Sequence, residues 1–408
     1  MNKDNIILRS LANEYFEIAN SDKNRQNILL HKKVNDLKHS RPIVLIDEIP
    51  WHEMNINNEL TLQCEDEYLK GLEFYFRSNI FKWKHMPADM VLQPYFGVGK
   101  IIHSTGIGVG QVLNDEHGQN DIKSHKFADQ IETEEDLNKL HFETISYDKS
   151  TTRKNFEIVA NIFGDILPVK ITGEATGYGL GCRNWDDIVR IRGLDTLFYD
   201  LIERSEFMHA LVGKLTDIFI DKIKRYENLG LLDDSYYNHC TSALTNDLHP
   251  NQEMVKAKDV WGRGLAQIFA SVSPAMQDEF DTQYMIKAME PFGLVYYGCC
   301  EPLHHKIHIL EKIPRLRKIS ITPWADVDVA TDIIQNKYVV ASKANPSNLA
   351  ALKLDKEVVT KELTKIVSAC RRNGCSCDIV LKDITTVYNN PKNLFEWEKI
   401  AMDIVNNF

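Results

Sequence analysis

The chain has 408 residues, of which 43% are hydrophobic and 26% charged, and 48 Lys and Arg against 58 Asp and Glu give a net charge of −10. This composition excludes a disordered or collagen-like protein, and the acidic balance argues against a nucleic-acid or anionic-lipid partner, because both bind positive surfaces. Eight cysteines are too few for a disulfide scaffold, and no apolar run has the features of a secretory signal or a membrane span. We therefore expect a cytoplasmic protein with reduced thiols and no membrane partner; its oligomeric state stays open.

Residues 1–40 predict a helical arm that either packs against the rest of the chain or covers it as a lid. Apolar side chains recur there at helical spacing, at Ile7, Leu8, Leu11, Tyr15 and Ile18. Residues 41–408 predict one domain, interrupted at about 106–153 by a polar excursion with little periodicity.

Eight short β-branched and aromatic runs predict strands, at 42–48, 89–96, 169–176, 266–273, 294–300, 317–324, 338–344 and 377–383. The later runs alternate with helical patterns: Asp326 is the predicted N-cap of one helix, and Gly374 ends the next. This alternation indicates a parallel sheet covered by helices, and eight units favour an α/β fold of the (β/α)8 TIM barrel type. An open doubly wound sheet is the alternative, although no glycine-rich nucleotide-binding motif follows any strand.

Six of the predicted strand ends run into a proline, which suits a turn or the first position of a helix. In a barrel these ends form the carboxyl-terminal mouth, where such enzymes place their chemistry. The alternative is that the prolines only end the strands. The mouth would be lined by Glu48, Trp51, His52, Tyr95, Ser271, Ser273, Cys299, Cys300, Glu301, His304, Trp324 and Asn345.

The segment GCCEPLHHKIH, at 298–308, is the richest in reactive side chains. Strand alternation sends Cys299 and Cys300 to opposite faces, and a helix predicted to start after Pro302 places His304 in its first turn. Cys300 and His304 could supply thiolate and imidazole ligands to zinc. The alternative is a buried thiol beside a hydrogen-bonding histidine.

Three other places carry candidate residues. His239 and Cys240 lie in a polar loop, 236–250, long enough to fold over the mouth; such a loop grips substrate or is a surface excursion. Glu174 lies between glycines and could act as acid, base or ligand, or pair with Lys343. Lys343 and Asn345, after the seventh strand, and Asp383 and Thr385, after the eighth, are similar candidates.

The phrases PIVLIDEIPWHEMN, KWKHMPADMVLQPYF, ASVSPAMQDEF, YYGCCEPLHHKIHIL and KYVVASKANPSNLA resemble the uroporphyrinogen decarboxylase superfamily. More narrowly they resemble its bacterial branch of corrinoid-dependent methyltransferases. The resemblance runs from about residue 40 to the C-terminus and implies a (β/α)8 barrel with its active site at the mouth.

Two departures narrow the implied activity. The first phrase has no Arg after Arg41 and carries Asp47, Glu48 and Glu53 instead, so the grip on a polyanionic tetrapyrrole is missing and uroporphyrinogen decarboxylation is not expected. If Cys300 matches the family's zinc-binding Cys, Gly298 stands in place of its His, and no Cys follows the eighth strand. Methyl transfer to a thiol is therefore not expected either.

The resemblance then implies a methyltransferase that moves a methyl group from a small methyl ether or methylamine to the Co(I) of a corrinoid protein. No corrinoid-binding DxHxxG phrase is present, so the corrinoid would arrive on that partner. The alternatives are a decarboxylase of a small non-tetrapyrrole acid, and a non-catalytic relative that carries or senses a corrinoid or tetrapyrrole.

This hypothesis gives each candidate residue an expected role. The expected acids are Glu174, Glu301 and His304, and the expected zinc ligands are Cys300 and His304. The substrate would be bound by Trp51, Tyr95, Tyr297, Trp324, Lys343, Asn345 and His239.

Overall fold

A computed structural model describes residues 2–116, 124–177, 179–250 and 254–408 of the chain. In these ranges the strands are β1 (Ile43–Ile46), β2 (Phe96–Gly99), β3 (Ile101–Ser104), β4 (Leu113–Glu116), β5 (Ser124–Phe127), β6 (Ile145–Asp148), β7 (Val169–Thr172), β8 (Glu174–Ala175), β9 (Leu232–Asp233), β10 (Tyr237–Asn238), β11 (Thr241–Ser242), β12 (Trp261–Gly264), β13 (Leu294–Tyr297), β14 (Leu316–Ile321), β15 (Val339–Ala344) and β16 (Cys377–Leu381).

The α-helices of the same ranges are α1 (Lys3–Ala19), α2 (Asp22–Asn35), α3 (Glu67–His85), α4 (Lys149–Phe163), α5 (Asn184–Arg192), α6 (Leu194–Glu203), α7 (Ser205–Asn228), α8 (Pro274–Gln277), α9 (Gln283–Met289), α10 (Ile307–Leu310), α11 (Val327–Ile334), α12 (Lys356–Asn373) and α13 (Lys392–Asn406). In the part of the chain that the structure describes, no helix combines the length and the apolar character that crossing a membrane requires. Part of the predicted polar excursion, 117–123, lies outside the described residues.

The core of the molecule is a six-stranded parallel sheet in the order β1-β16-β15-β14-β13-β12. Most of its residues are buried on both faces, which explains why five of these strands appear in the sequence as continuous apolar runs. Because the strands are parallel, their carboxyl ends lie along one edge of the sheet, here called the carboxyl edge.

The hydrogen-bonded sheet does not close between β1 and β12 in the described residues. Apart from the six-stranded sheet, the parallel pairings of the described residues are two short pairs, β2 with β7 and β8 with β9, and a bridge between Cys182 and Gly264. The fold is therefore α/β with a parallel central sheet, and the predicted closed barrel is not confirmed.

Two of the eight predicted strands lie elsewhere. In the predicted strand 89–96, regular pairing begins only at Phe96, and the predicted strand 266–273 contains a 3-10 helix, Gln267–Ser271. The strand at that place is β12, with the sequence WGRG, which has no apolar alternation. Its glycines are needed because a Cβ on Gly262 would come within 2.5 Å of the Phe292 ring.

The helices that cover the sheet follow the predicted signals. Asp326 caps α11 by accepting hydrogen bonds from the backbone N–H groups of Asp328 and Val329. Gly374 ends α12 in the left-handed region, with φ of 65°. The arm contains α1 and α2, and α1 packs on α3 and α4 in a core of its own.

A β-hairpin formed by β10 and β11 packs against one face of the central sheet, here called the inner face. Side chains of residues that pair across neighbouring strands point to the same face of the sheet. By this pairing, the inner face carries Arg263, Tyr296, Lys318, Ala341 and Asp378. The fully buried Lys318 Nζ donates to the Ser242 carbonyl at 2.9 Å and to Asp378 Oδ2 at 2.6 Å. The predicted mouth loop thus runs along the sheet, because buried polar anchors hold it there.

The arm closes the other side of this hairpin. The His31 side chain on α2 joins Ser242 Oγ through Nδ1 at 2.9 Å and the Asp89 carbonyl through Nε2 at 2.7 Å. The Asn35 side-chain amide donates to the Leu244 carbonyl at 2.8 Å. These contacts show that α2 packs against the hairpin. The turn between β10 and β11, His239–Cys240, extends to the carboxyl edge.

Candidate functional site

Two adjacent thiols lie at the carboxyl edge directly after β13. The chain turns at Gly298, whose φ of 104° and crowding by Leu303 admit no side chain. The Sγ atoms of Cys299 and Cys300 are 3.7 Å apart. Cys299 Sγ lies 3.9 Å from His239 Nε2, and Cys300 Sγ lies 3.8 Å from Asp383 Oδ2. Residues from three distant segments therefore meet here.

The two thiols differ in ionisation. The hydrogen bond from Cys300 lowers the pKa of Cys299. Burial of Cys299 opposes this shift, whereas His239 and the positive charges of Lys382 and Arg263 add to it. The pKa of Cys300 rises because its proton is held against the Cys299 sulfur. These neighbours therefore favour the thiolate form of Cys299, the form that acts as nucleophile or metal ligand.

Glu48, His239 and Cys240 form a cluster, here called the triad, in which one ligand atom from each residue lies within 4.8 Å of the others. Thiolate, imidazole and carboxylate are the ligands that zinc takes in proteins, so the donor set fits this metal. Burial raises the pKa of the Cys240 thiol, so metal binding there would release a proton.

The backbone is strained around the triad. Glu48, Cys240 and Asp383 all have positive φ, of 49°, 61° and 56°, a region that non-glycine residues rarely adopt. Such outliers cost of order 1–3 kcal/mol each and collect at functional sites. Three of them on facing segments indicate that the structure is organised to bring these side chains together.

Lys382 forms ion pairs with two acidic residues, Glu48 and Asp383. Its Nζ lies 2.7 Å from Asp383 Oδ2 and 3.7 Å from Glu48 Oε2, and the Asp383 N–H donates to Glu48 Oε2 at 3.0 Å. Burial opposes the charge on Lys382, but the hydrogen bond with Asp383 and the nearby thiols outweigh it and raise its pKa. Lys382 therefore stays charged and orients the Glu48 carboxylate.

Glu301 lies beneath the thiols and is fully buried. Its Oε2 accepts from the Cys299 N–H at 2.9 Å and its Oε1 accepts from the Ala266 N–H at 3.3 Å. Burial raises the pKa of Glu301 to about 7. Of the three predicted acids, Glu301 is thus the one joined directly to the thiol segment.

The predicted acids Glu174 and His304 lie apart from the triad. Glu174 is half-buried on β8; burial raises its pKa, and its charged neighbour is Lys222 of α7. His304 packs against the His305 ring at 3.7 Å, and burial lowers its pKa. The helix predicted to start after Pro302 starts later, at Ile307, so His304 lies in a turn.

The predicted ligands Cys300 and His304 are not members of the triad. Cys300 is in contact with it through Cys299, whereas His304 contacts His305. Of the residues predicted to bind substrate or metal or to act as acids, His239 belongs to the triad. Its partners Glu48 and Cys240 were predicted only as a mouth-lining residue and as a candidate in the same loop.

The predicted aromatic walls are dispersed. Trp51 packs edge-on against Phe74 and Phe81, and Trp324 is 69% exposed. Tyr297 faces away from the hairpin and donates to Asp281 Oδ2 at 2.5 Å. Tyr95 lies under Lys170 Nζ, 4.3 Å from its ring centre, beside a cavity of about 290 Å³.

The two predicted polar substrate residues after β15 also differ from each other. Asn345 caps a short 3-10 helix by accepting from the Ser347 N–H at 3.0 Å. Lys343 is buried on the inner face, and its Nζ lies over the Tyr296 ring, 5.8 Å from the ring centre.

Sequence reasoning missed Lys382 and Arg263. Lys382 continues the inner-face alternation of Asp378 and Val380, and this signal was present in the sequence. Arg263 lies on β12, which the pattern did not predict, so its position could not be assigned.

No protein-family model matches the chain, and no curated protein matches it in sequence. Twenty-three chains of solved structures are similar to it. One is a methyltransferase from Methanosarcina mazei, 10% identical, with 92% of this chain and 97% of that chain covered and a TM-score of 0.45. A likeness of this degree carries no argument about activity.

Proposed function

We propose that the protein is a methyltransferase that moves a methyl group from a small methyl ether or methylamine to the Co(I) of a separate corrinoid protein. The observation that supports it is the triad of Glu48, His239 and Cys240 beside Cys299 at the carboxyl edge. Breaking a methyl–oxygen or methyl–nitrogen bond needs a bound metal ion or a proton donor, because the departing atom is a poor leaving group unless it is protonated or metal-bound.

Zinc would be held by Glu48, His239 and Cys240, and when bound it supplies Lewis-acid polarisation of the methyl-bearing atom. Neighbouring residues of the chain hold the side chains and backbone of this metal site in position. Lys382 orients Glu48, and Glu301 fixes the backbone of Cys299. The turn of the hairpin delivers His239 and Cys240 together, which lowers the entropy cost of assembling the ligands.

In the proposed reaction the bond from methyl carbon to oxygen or nitrogen breaks with its electron pair staying on the heteroatom. The bond from carbon to cobalt forms with the electron pair of Co(I), and the leaving atom takes a proton. Glu301, Glu174 and His304 stay the proposed proton donors, and Glu301 is favoured because it contacts the thiol segment and has a pKa of about 7.

The test mixes zinc-loaded protein with reduced cobalamin or a cognate corrinoid protein and a panel of methyl ethers and methylamines, and follows methyl-Co(III) by absorbance. His239→Ala and Cys240→Ser should lower the rate by about 100-fold or more, because ligand loss removes the polarising group. Cys64→Ala is the matched control, since this buried thiol lies in the core formed by the arm. Equal rates in all variants would contradict the proposal.

A decarboxylase acting on a small non-tetrapyrrole acid is the second candidate. The buried Lys343 favours it, because an ammonium group on the inner face could hold a carboxylate. Release of CO2 from a small acid, with no methyl-Co(III) formed from any methyl donor, would establish this reaction instead.

A further inference from the structure

The inner face carries buried hydrogen-bond donors that have no acceptor. Lys343 is 4% exposed and Arg263 is 7% exposed, and neither Lys343 Nζ nor Arg263 Nε has a hydrogen-bond partner in the described residues. The hydroxyl of the fully buried Tyr296 is likewise unpartnered. Buried polar groups are almost always paired, so three such groups require an explanation.

The three groups belong to one patch. Arg263 and Tyr296 are register partners on β12 and β13, and Lys343 Nζ lies 5.8 Å from the centre of the Tyr296 ring. Paired strands are roughly 4.8 Å apart, so Tyr296 is a neighbour of Arg263 on one side and of Lys343 on the other. Here this patch is called the donor patch.

The donor patch borders the thiols and the triad. The charge of Arg263 acts on Cys299, and the charge of Lys343 acts on Cys240. Lys318 on the same face shows the ordinary solution for a buried cation: its Nζ is satisfied by Asp378 Oδ2, Thr241 Oγ1 and the Ser242 carbonyl. In the described part of the chain, Lys343 Nζ and Arg263 Nε have no such acceptor.

A ligand complementary to this patch must accept hydrogen bonds and carry negative charge, because burying a cation without an anionic partner is unfavourable. Water alone would hydrate the donors without neutralising them. A carboxylate has two oxygens with about four acceptor positions and suits both ammonium and guanidinium groups.

We propose that Lys343, Arg263 and the Tyr296 hydroxyl bind a carboxylate of the substrate. The methyl donor is then a methylated carboxylic acid, with its acid group on the donor patch and its methyl-bearing atom toward the triad. That the ligand is a methyl donor rests on the proposed function. That the site binds a carboxylate rests on the unpartnered donors and does not depend on the proposed function.

The test is equilibrium binding, by calorimetry, to zinc-loaded protein without any corrinoid. The probes are 4-methoxybenzoate, acetate and inorganic phosphate, with uncharged 4-methoxybenzamide as the matched ligand. We expect 4-methoxybenzoate to bind at least 10-fold more tightly than the amide. Equal affinity for the two, or tighter binding of phosphate than of either carboxylate, would overturn the proposal.

The variant is Lys343→Met, which keeps the length of the side chain and removes its charge, and the control is Lys353→Met on the exposed surface. Lys343→Met should weaken 4-methoxybenzoate binding by about 10- to 100-fold and leave the amide unaffected. It should also raise the Tm of the ligand-free protein, because an unpaired buried charge is lost. Unchanged carboxylate affinity in a folded Lys343→Met protein would contradict the site.

The outcome also separates this site from the proposed reaction. Carboxylate binding that is lost in Lys343→Met, together with CO2 release and no methyl-Co(III), would uphold the donor patch and reject methyl transfer. Methyl-Co(III) formation from uncharged ethers, with no preference for acids, would uphold methyl transfer and reject the donor patch.

Discussion

The charge on Cys299 depends on a single neighbouring proton. Cys300 donates to the Cys299 sulfur across 3.7 Å, and this hydrogen bond is the largest cause of the low pKa of Cys299. His239, Lys382 and Arg263 add smaller effects of the same sign. The reactivity of this thiol is therefore a property of the pair, as is usual for coupled groups.

We predict that Cys300→Ala raises the pKa of Cys299, because the thiolate loses its hydrogen-bond donor while remaining buried. The measurement is the thiolate absorbance in the ultraviolet as a function of pH, checked by the pH dependence of Cys299 alkylation in a mass spectrum. Cys300→Ser is the control, since its hydroxyl keeps a donor at this position. The same titration midpoint in the Ala variant as in the parent would refute the assignment.

The meeting of Cys299 with His239 could not be predicted from the sequence. The prediction that Cys299 and Cys300 point to opposite faces was wrong, because β13 ends at Tyr297 and the two Sγ atoms lie 3.7 Å apart. The surrounding residues Glu48, His239 and Asp383 lie far apart in the chain. Only the placement of the hairpin against the sheet determines that they meet. Local patterns contain no information about that placement.

At the scale of elements, the predictions that succeeded depend on local chemistry. Asp326 and Gly374 mark helix ends because their side-chain and backbone preferences act within one turn. The strand β12 was missed because close packing against Phe292 requires glycines, which removes the apolar signal. The six-stranded sheet was otherwise predictable from its buried apolar runs.

The hairpin is held by a buried ion pair. Lys318 and Asp378 have no exposed side-chain surface, and Thr241 Oγ1 donates to the same carboxylate oxygen that Lys318 contacts. We predict that Lys318→Met destabilises the fold by roughly 3–5 kcal/mol, because Asp378 is left buried without its cation. Urea unfolding measures this change.

The double variant Lys318→Met with Asp378→Leu is the control for this prediction. It removes both charges, so most of the lost unfolding free energy should return. A single variant as stable as the parent would show that the pair does not anchor the hairpin.

At the scale of the whole molecule, stability should depend on two buried carboxyl groups. Burial raises the pKa of Asp281 and of Glu301 to about 7. In the unfolded chain both titrate near pH 4, so the folded state holds protons that the unfolded state has released. Their contribution is complete below about pH 4 and is lost as the pH rises toward and through 7.

We therefore predict that the unfolding free energy falls between about pH 5 and pH 7.5, as followed by urea titrations at fixed ionic strength. Asp281→Asn should flatten this dependence, because the amide keeps an acceptor for the Tyr297 hydroxyl but does not titrate. A dependence that is as steep in Asp281→Asn and Glu301→Gln as in the parent would count against these groups as its source.

The arrangement of the triad has a further consequence for the chain as a polymer. Glu48 lies near one end of the domain, His239 and Cys240 lie near its middle, and the residue that pairs with Glu48, Asp383, lies near the other end. A divalent ion bound by Glu48 and the hairpin turn would join two segments that are far apart along the chain and that meet in the folded state. Because an ion that binds only the native state shifts the folding equilibrium with its concentration, metal supply would set how much of this protein remains folded.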